Sequence, residues 1–334
     1  MRFATYNIEW MNSLFTDAGE LWNDNARASR YGVTRAEQTA AVTTVFQALD
    51  ADAVLVVEAP DDSGSRNTVP ALENFAEAAD IRARRAIIGF ANDTQQEIAL
   101  LYDPDALTVL HDPQDSEEAP RFDTGFSIDL DIDATADDVV FSKPPLELAV
   151  ETRQGTALRL IGAHLKSKAP HGAKTHDEIM RISIANRRKQ LAQAIWLRRR
   201  IDAHLAAGEA LMVLGDLNDG PGLDEYEHLF GRSSVEILLG TPDAALFDPH
   251  ARMALQPRRL GMTPTTARFW IRPEKRFLQA LLDYIMVSQD LASRAPRWRI
   301  WHPLDDPDCW QQPGLRDALV AASDHFPVSL DIDI

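Results

Sequence analysis

One cysteine in 334 residues, Cys309, excludes any disulfide within the chain. A lone thiol without a partner reads as a packed side chain and suits a reducing cytoplasm, the compartment expected here. No stretch approaches the ~18–20 uninterrupted apolar residues of a helical membrane span, so no span is expected. The opening MRFATYNIEW lacks an apolar run ending in a small-residue cleavage site, and reads as a strand instead of a secretory signal. Positive charge is also scarce: 34 Lys and Arg stand against 51 Asp and Glu, a formal net charge of -17. Such a field repels polyanions, and tight duplex binding needs many Lys or Arg contacts to phosphate. Duplex binding is therefore expected to be weak, although a local basic groove is compatible with the balance. The chain shows no repeat, no low-complexity linker and no composition break, so 1–334 reads as one domain.

Residues 2–8 alternate as a strand. Thr34 and Glu37 form a capping box ahead of a helix through Ala48. AVLVVE (53–58) reads as a short buried strand, and 70–79 as a helix. EIALLY (97–102) is a strand, with weaker strands near 107–110 and 121–131. LELAVET (146–152) and ALRLIGAHL (157–165) predict a hairpin around Gln154 and Gly155. A long helix is expected over 176–206, then strands at 210–216, 281–288, 297–301 and the C-terminus. Several strands follow one another too closely for helical crossovers. That predicts stacked mixed sheets flanked by helices and not a doubly wound parallel sheet. The acidic segment 103–138 reads as solvated hairpins and loops, without EF-hand spacing.

Acidic and polar residues fall repeatedly at strand ends. Asn7 and Glu9 stand i, i+2 where the first strand stops, on one face. Glu58 follows four apolar residues, and Asp216 and Asn218 repeat the i, i+2 spacing beyond a buried strand. Asp283 interrupts LLDYIMV, while Asp324 and His325 directly precede the last strand. A charge at the end of a buried strand costs desolvation unless it is paired or bound to metal, so the set together predicts a site. His164 alone would read as a core histidine; Lys166 and Lys168, following on the same side, turn it toward a positive phosphate pocket. His164, His171 and His176 match no tight zinc spacing. Asp219, Asp305 and Asp306 read as loop residues.

The motifs YNIEW (6–10), VVEA (56–59), AHLKSK (163–168), GDLND (215–219), LDYIMVS (282–288) and SDHFPV (323–328) span nearly the whole chain. Their order resembles the endonuclease/exonuclease/phosphatase superfamily, the DNase I-like metal-dependent phosphoesterases. The resemblance implies an α+β, four-layer αββα sandwich of two mixed sheets flanked by helices, with the site at one end of the sheets. It implies Asn7, Glu58, Asp324 and Glu9 as metal ligands; oxygen donors of this kind suit Mg²⁺ or Mn²⁺ over zinc. Asp216 would act as general base on the attacking water, and Asn218 would hydrogen-bond the charge developing on phosphorus. His325 and His164 would bracket the phosphate, and Asp283 would hold the ring of His325. Lys166, Lys168, Asn218 and His164 would bind phosphate. Three departures from the pattern stand out. Val57 replaces the usual glutamine before the metal glutamate, Lys143 stands where an arginine is common, and the mid-chain tyrosine and arginine of abasic-site DNA endonucleases find no counterpart.

The expected activity is hydrolysis of a phosphate ester by a phosphodiesterase or nuclease-type enzyme. A nucleic-acid substrate is suggested by 252–277, with Arg258, Arg259, Arg268, Trp270, Arg272, Lys275, Arg276 and Phe277. Basic groups interleaved with aromatics suit single strands, and this stretch could wall the cleft before Asp283. It reads equally as a surface loop balancing the acidic face. Net acidity favours the alternative, a phosphatase or phosphodiesterase for a small phosphorylated molecule or lipid head group. A catalytically inactive binding module would have lost its ligands, yet Asn7, Glu58, Asp216, Asn218, Asp283, Asp324 and His325 are all present.

Overall fold

Strands buried on both faces read as near-continuous apolar runs, and such runs form the middle of this molecule. A computed structural model describes residues 1–130, 136–170, 172–221, 230–256, 263–271 and 275–334. The first sheet runs β14 (Arg297–Ile300), β15 (Val328–Asp331), β1 (Arg2–Asn7), β2 (Ala53–Ala59), β4 (Glu97–Tyr102), β3 (Arg85–Ile88). The second runs β13 (Asp283–Val287), β10 (Leu211–Asp216), β9 (Ala157–His164), β8 (Leu146–Thr152), β5 (Leu107–His111). Each sheet has one parallel pair, β1 with β2 and β9 with β10; the other pairs are antiparallel. Two ribbons, β6 (Gly125–Asp129) with β7 (Ala136–Val140) and β11 (Ala267–Ile271) with β12 (Arg276–Ala280), complete the strands among the described residues.

Alternation along the strands sorts their side chains into three cores. Phe3, Leu55, Leu100, Leu148, Leu160, Met212 and Ile285 meet between the sheets. Ala4, Tyr6, Val54 and Val56 point outward, against Val42, Val45 and Phe46 of α1 (Arg35–Leu49) and Leu72 and Phe75 of α2 (Thr68–Ala78). On the far side Ile161, Val213 and Met286 pack with Leu191, Trp196, Leu197 and Ile201 of α3 (His176–Ala206). The result is the expected sandwich of helix, sheet, sheet and helix.

Local chemistry sets the helix ends. Thr34 caps α1 and Thr175 caps α3, each with a reciprocal glutamate at the third position, Glu37 and Glu178. α2 starts at Thr68, two residues ahead of the sequence expectation, because the Asn67 side chain accepts from the Val69 N–H. The strand expected from 281 begins at Asp283. The expected 121–131 strand shortens to β6, and Asp131 lies outside the described residues.

Candidate active site

Strand pairing gathers the polar residues. β10 lies between β9 and β13, and its register sets Asp216 beside His164 on one side and Asp283 on the other. Gly215 makes this approach possible: its φ is +134°, and a Cβ there would lie 2.0 Å from the Ala163 carbonyl oxygen. The first sheet enters through Asn7, whose Nδ2 donates to Asp216 Oδ2 at 3.0 Å. Ser323 ties in the last segment. Its hydroxyl donates to Asn7 O at 2.8 Å and accepts from the backbone N–H of Glu9 and of His325.

Around Asp216 the groups form a buried chain. His325 Nδ1 donates to Asp283 Oδ2 at 2.8 Å, and its Nε2 lies 3.9 Å from Asp216 Oδ2. His164 Nε2 is 3.7 Å from the same oxygen. The Asn218 backbone N–H donates to Asp216 Oδ1 at 2.7 Å, and its amide reaches Leu165 O at 3.1 Å and Asp216 Oδ2 at 3.3 Å. Asn218 adopts φ 50°, a left-handed conformation asparagine tolerates. Burial pushes Asp216 up to about 7, with Asp283 adding to the rise and His325 opposing it. Burial would depress His325, but the charges of Asp283, Asp216 and Asp324 reverse that and hold it well above the usual histidine range. Carboxylates on either side of His325 favour its protonated form.

The other half of the floor is oxygen-rich. Asn7 Oδ1 is buried and has no hydrogen-bond partner among the described residues. Glu58 takes φ 60° at a bulge of β2 between Val57 and Ala59, and Trp10 N–H donates to its Oε2 at 3.0 Å. That bulge turns Glu58 to the site while Val57 enters the core between the sheets. Burial raises Asp324, and the Glu58 charge adds to it against His325 and Arg30. Glu9 is ion-paired with Arg30, which also donates to Val320 O at 2.8 Å.

Asn7, Glu9, Glu58, Asp216, Asn218, Asp324 and His325 line a single cleft of about 740 Å³. Lys143, Gln96, Ser142, Lys166 and Ser167 lie along it with His164. Lys168 also lines it, but its ammonium pairs with Asp219. Asp219 lies in a loop after β10, as expected, but it is not solvated. It is fully buried, bound by Arg187 at 3.2 Å and by Ser234 through N at 2.8 Å and Oγ at 2.5 Å. Asp306 caps the helix at 307–311 and pairs with Arg299.

The ribbon β11–β12 walls the cleft, with a different face from the one its composition suggested. Phe269, Ile271 and Leu278 point inward with Leu282, and Phe269 packs edge-on to His325 at 5.5 Å. Arg268, Trp270 and Phe277 occupy the other face, where the Arg268 guanidinium lies 3.7 Å from the Phe277 ring centre. Arg258, Arg259, Arg272 and His171 lie outside the described residues. His176 starts α3, exposed to solvent.

Sequence reasoning passed over four contributors. Thr266 Oγ accepts from the backbone N–H of Leu282 and Asp283, both at 3.0 Å, and Thr266 O accepts from Phe326 N–H, binding the Asp283 and His325 segments together. Arg30, Gln96 and Phe269 are the others. Only Phe269 left a signal, the period-2 alternation of ARFWI.

Two stacked mixed sheets between helices, with carboxylates and histidines converging at the strand ends, define a DNase I-like fold. A family model described as the Endonuclease/Exonuclease/phosphatase family matches residues 4–325, and the chain belongs to that family. An endonuclease/exonuclease/phosphatase family protein from Bacteroides thetaiotaomicron shares 15% identity, over 100% of this chain and 98% of that one, with a TM-score of 0.53. The 3'-5' exonuclease NExo from Neisseria meningitidis shares 14%, over 100% of both chains, at 0.53. TDP2 from Caenorhabditis elegans shares 12%, over 100% of this chain and 74% of that one, at 0.50. At such identities the likeness is one of fold. No curated protein matches the sequence. Among the described residues no helix is long and apolar enough to cross a membrane.

Proposed function

We propose that this protein is a divalent-metal-dependent hydrolase of phosphate esters, of phosphodiesterase or nuclease type. One observation carries the reading: a buried acceptor without a partner among the described residues, Asn7 Oδ1, belongs to a side chain that shares the cleft with Glu58 and Asp324 and donates to Asp216 of the chain Asp216, His325, Asp283. A buried carbonyl oxygen beside two carboxylates fits a hard cation, which takes oxygen ligands. Asn7, Glu58 and Asp324 would hold it, with Glu9 kept to one side by Arg30. Asp216, Asp283 and His325 also bring ligand atoms within 4.8 Å of one another. Asp283 is already engaged in orienting the His325 ring, so we assign that trio to catalysis. When bound, Mg²⁺ or Mn²⁺ supplies a Lewis acid that offsets charge on the phosphoryl group.

The remaining chemistry belongs to side chains. Asp216 accepts the proton of the attacking water, and Asn218 steadies it through backbone and amide. The His325 cation, oriented by Asp283, stabilises negative charge as phosphorus becomes five-coordinate. His164 binds a phosphoryl oxygen from the opposite side, with Lys166 adding positive charge along the cleft. The inner wall of Phe269, Ile271, Leu278 and Leu282 suits an apolar flank of the substrate, such as the face of a base in a single strand.

A second reading, hydrolysis of a small phosphate ester, is favoured by the apolar inner wall together with the net charge of -17. A panel with Mg²⁺, Mn²⁺ or EDTA separates the two. It would compare plasmid DNA, single-stranded oligonucleotide, bis-(p-nitrophenyl) phosphate and p-nitrophenyl phosphate. The diesterase reading expects metal-dependent turnover of the oligonucleotide or the diester that Asp216→Ala abolishes. Turnover of the monoester alone supports the second reading, and turnover insensitive to Asp216→Ala defeats both.

A further inference from the structure

Lys143 lies in the segment between β7 and β8 and lines the cleft behind His164. Its Nζ donates to Oε1 of the buried Gln96 and stands 3.3 Å from His164 Nδ1. An ammonium has three protons and no lone pair, so toward a ring nitrogen it can only donate. Nδ1 must then be the acceptor, and the neutral ring carries its proton on Nε2. That Nε2 is the nitrogen 3.7 Å from Asp216 Oδ2. The other tautomer would set an N–H against the ammonium and aim a lone pair at Asp216 and at any bound phosphate.

We propose that Lys143, anchored by Gln96, is a positioning residue that fixes His164 as the Nε2–H tautomer, a neutral donor aimed at a phosphoryl oxygen. Burial keeps His164 uncharged, and the neighbouring charges of Lys143, His325 and Lys166 act in the same direction. The two histidines thus do different work, one a cation braced by a carboxylate and the other a neutral donor braced by an ammonium. A lysine suits this place because its rotatable donors serve Gln96 and His164 together. The identity of the acceptor rests on the phosphoesterase reading; the tautomer does not.

The test is long-range ¹H–¹⁵N NMR on the full chain labelled at histidine, with His164 assigned by loss of its signal in His164→Gln. Wild type is expected to show His164 protonated at Nε2 alone. Lys143→Met keeps the aliphatic stem and removes the donor. It should give a mixture of tautomers and lower kcat by about 10²-fold with little change in KM, comparable to losing one pre-aimed donor. Lys143→Arg should restore the tautomer and most of kcat. Gln96→Leu should shift the ring in the same direction by less, and it decides the matter if Lys143→Met does not fold. A wild-type ring protonated at Nδ1, or a ring unchanged in the variants, overturns the proposal. Tautomer shifts in a protein that hydrolyses no ester would sustain the positioning role and overturn the phosphoesterase reading.

Discussion

The two halves of the cleft floor use the same residue types and differ in how their hydrogen bonds close. On the second sheet, Asp216 accepts from Asn7 and Asn218, and Asp283 accepts from His325 through Oδ2, leaving Asp283 Oδ1 as the loose end. On the first sheet, Asn7 Oδ1 has no donor among the described residues, and Glu58 and Asp324 line the same cleft. The half on the second sheet is arranged around protons already in place; the half on the first sheet gathers carboxylates, with Arg30 as the cation on Glu9. Catalysis and metal binding should therefore separate under mutation.

The largest effect is expected on the proton side. His325→Ala and Asp216→Asn should each lower kcat by ~10²–10⁴-fold, with KM little changed, because both groups act chiefly in the transition state. Calorimetric Mg²⁺ affinity should stay close to wild type in both. A variant that loses only substrate binding would move its residue from catalysis to substrate positioning.

The cation side should respond the other way. EDTA should abolish turnover and Mg²⁺ or Mn²⁺ should restore it. Glu58→Ala should weaken Mg²⁺ binding by at least the ~10–100-fold that follows loss of a mere supporting group around a metal. The fold should survive, since a strand-end carboxylate contributes little to the core. Stability makes the contrast sharper, because an ion at 100 times its Kd stabilises the native state by about 2.7 kcal/mol. A thermal melt should show that Mg²⁺-dependent gain in wild type and in Asp216→Asn, and a gain reduced to about 1.4 kcal/mol or less in Glu58→Ala. Unchanged Mg²⁺ binding in Glu58→Ala would show the ligand assignment to be wrong.

How far the sequence could foresee this follows from the range of each interaction. Thr175 and Glu178 announce the start of α3 locally, and the helix runs over the expected 176–206. Buried strands such as LMVLGD carry their identity in their composition, so the ends that converge on the site were legible from Asn7, Glu58, Asp216 and Asp324. The partners of those ends were not. Asp219 meets Lys168 across 51 positions, and Lys143 meets Gln96 across 47. Neither pairing leaves a periodic trace. Arg30 on Glu9 is likewise a contact between irregular segments. The ribbon misled because its cations and aromatics were read together, while strand alternation sends Arg268 and Trp270 to one face and Phe269 and Ile271 to the other.

The smallest effect is expected with duplex DNA, and it measures how little cation the cleft offers beyond its two halves. Binding of a polyanion weakens with salt at a log–log slope near −0.9 per phosphate neutralised. Within the cleft Lys168 is committed to Asp219, and Lys143 to Gln96 and His164. Lys166 adds one contact, and the ribbon adds a second patch, with Arg268 on its outer face, Lys275 just ahead of β12 and Arg276 opposite Ile271. A net charge of -17 opposes every phosphate that extends past them. The slope for duplex should therefore be shallow, about −4 or smaller in magnitude, with affinity far weaker than nanomolar at physiological salt. Short single strands and small diesters expose fewer phosphates to the acidic surface and should be favoured in kcat/KM. Replacing Arg268, Lys275 and Arg276 together by glutamine should remove the residual nucleic-acid binding and leave bis-(p-nitrophenyl) phosphate hydrolysis in place. Nanomolar duplex binding that survives the triple change would mean that a basic surface outside these residues governs substrate choice.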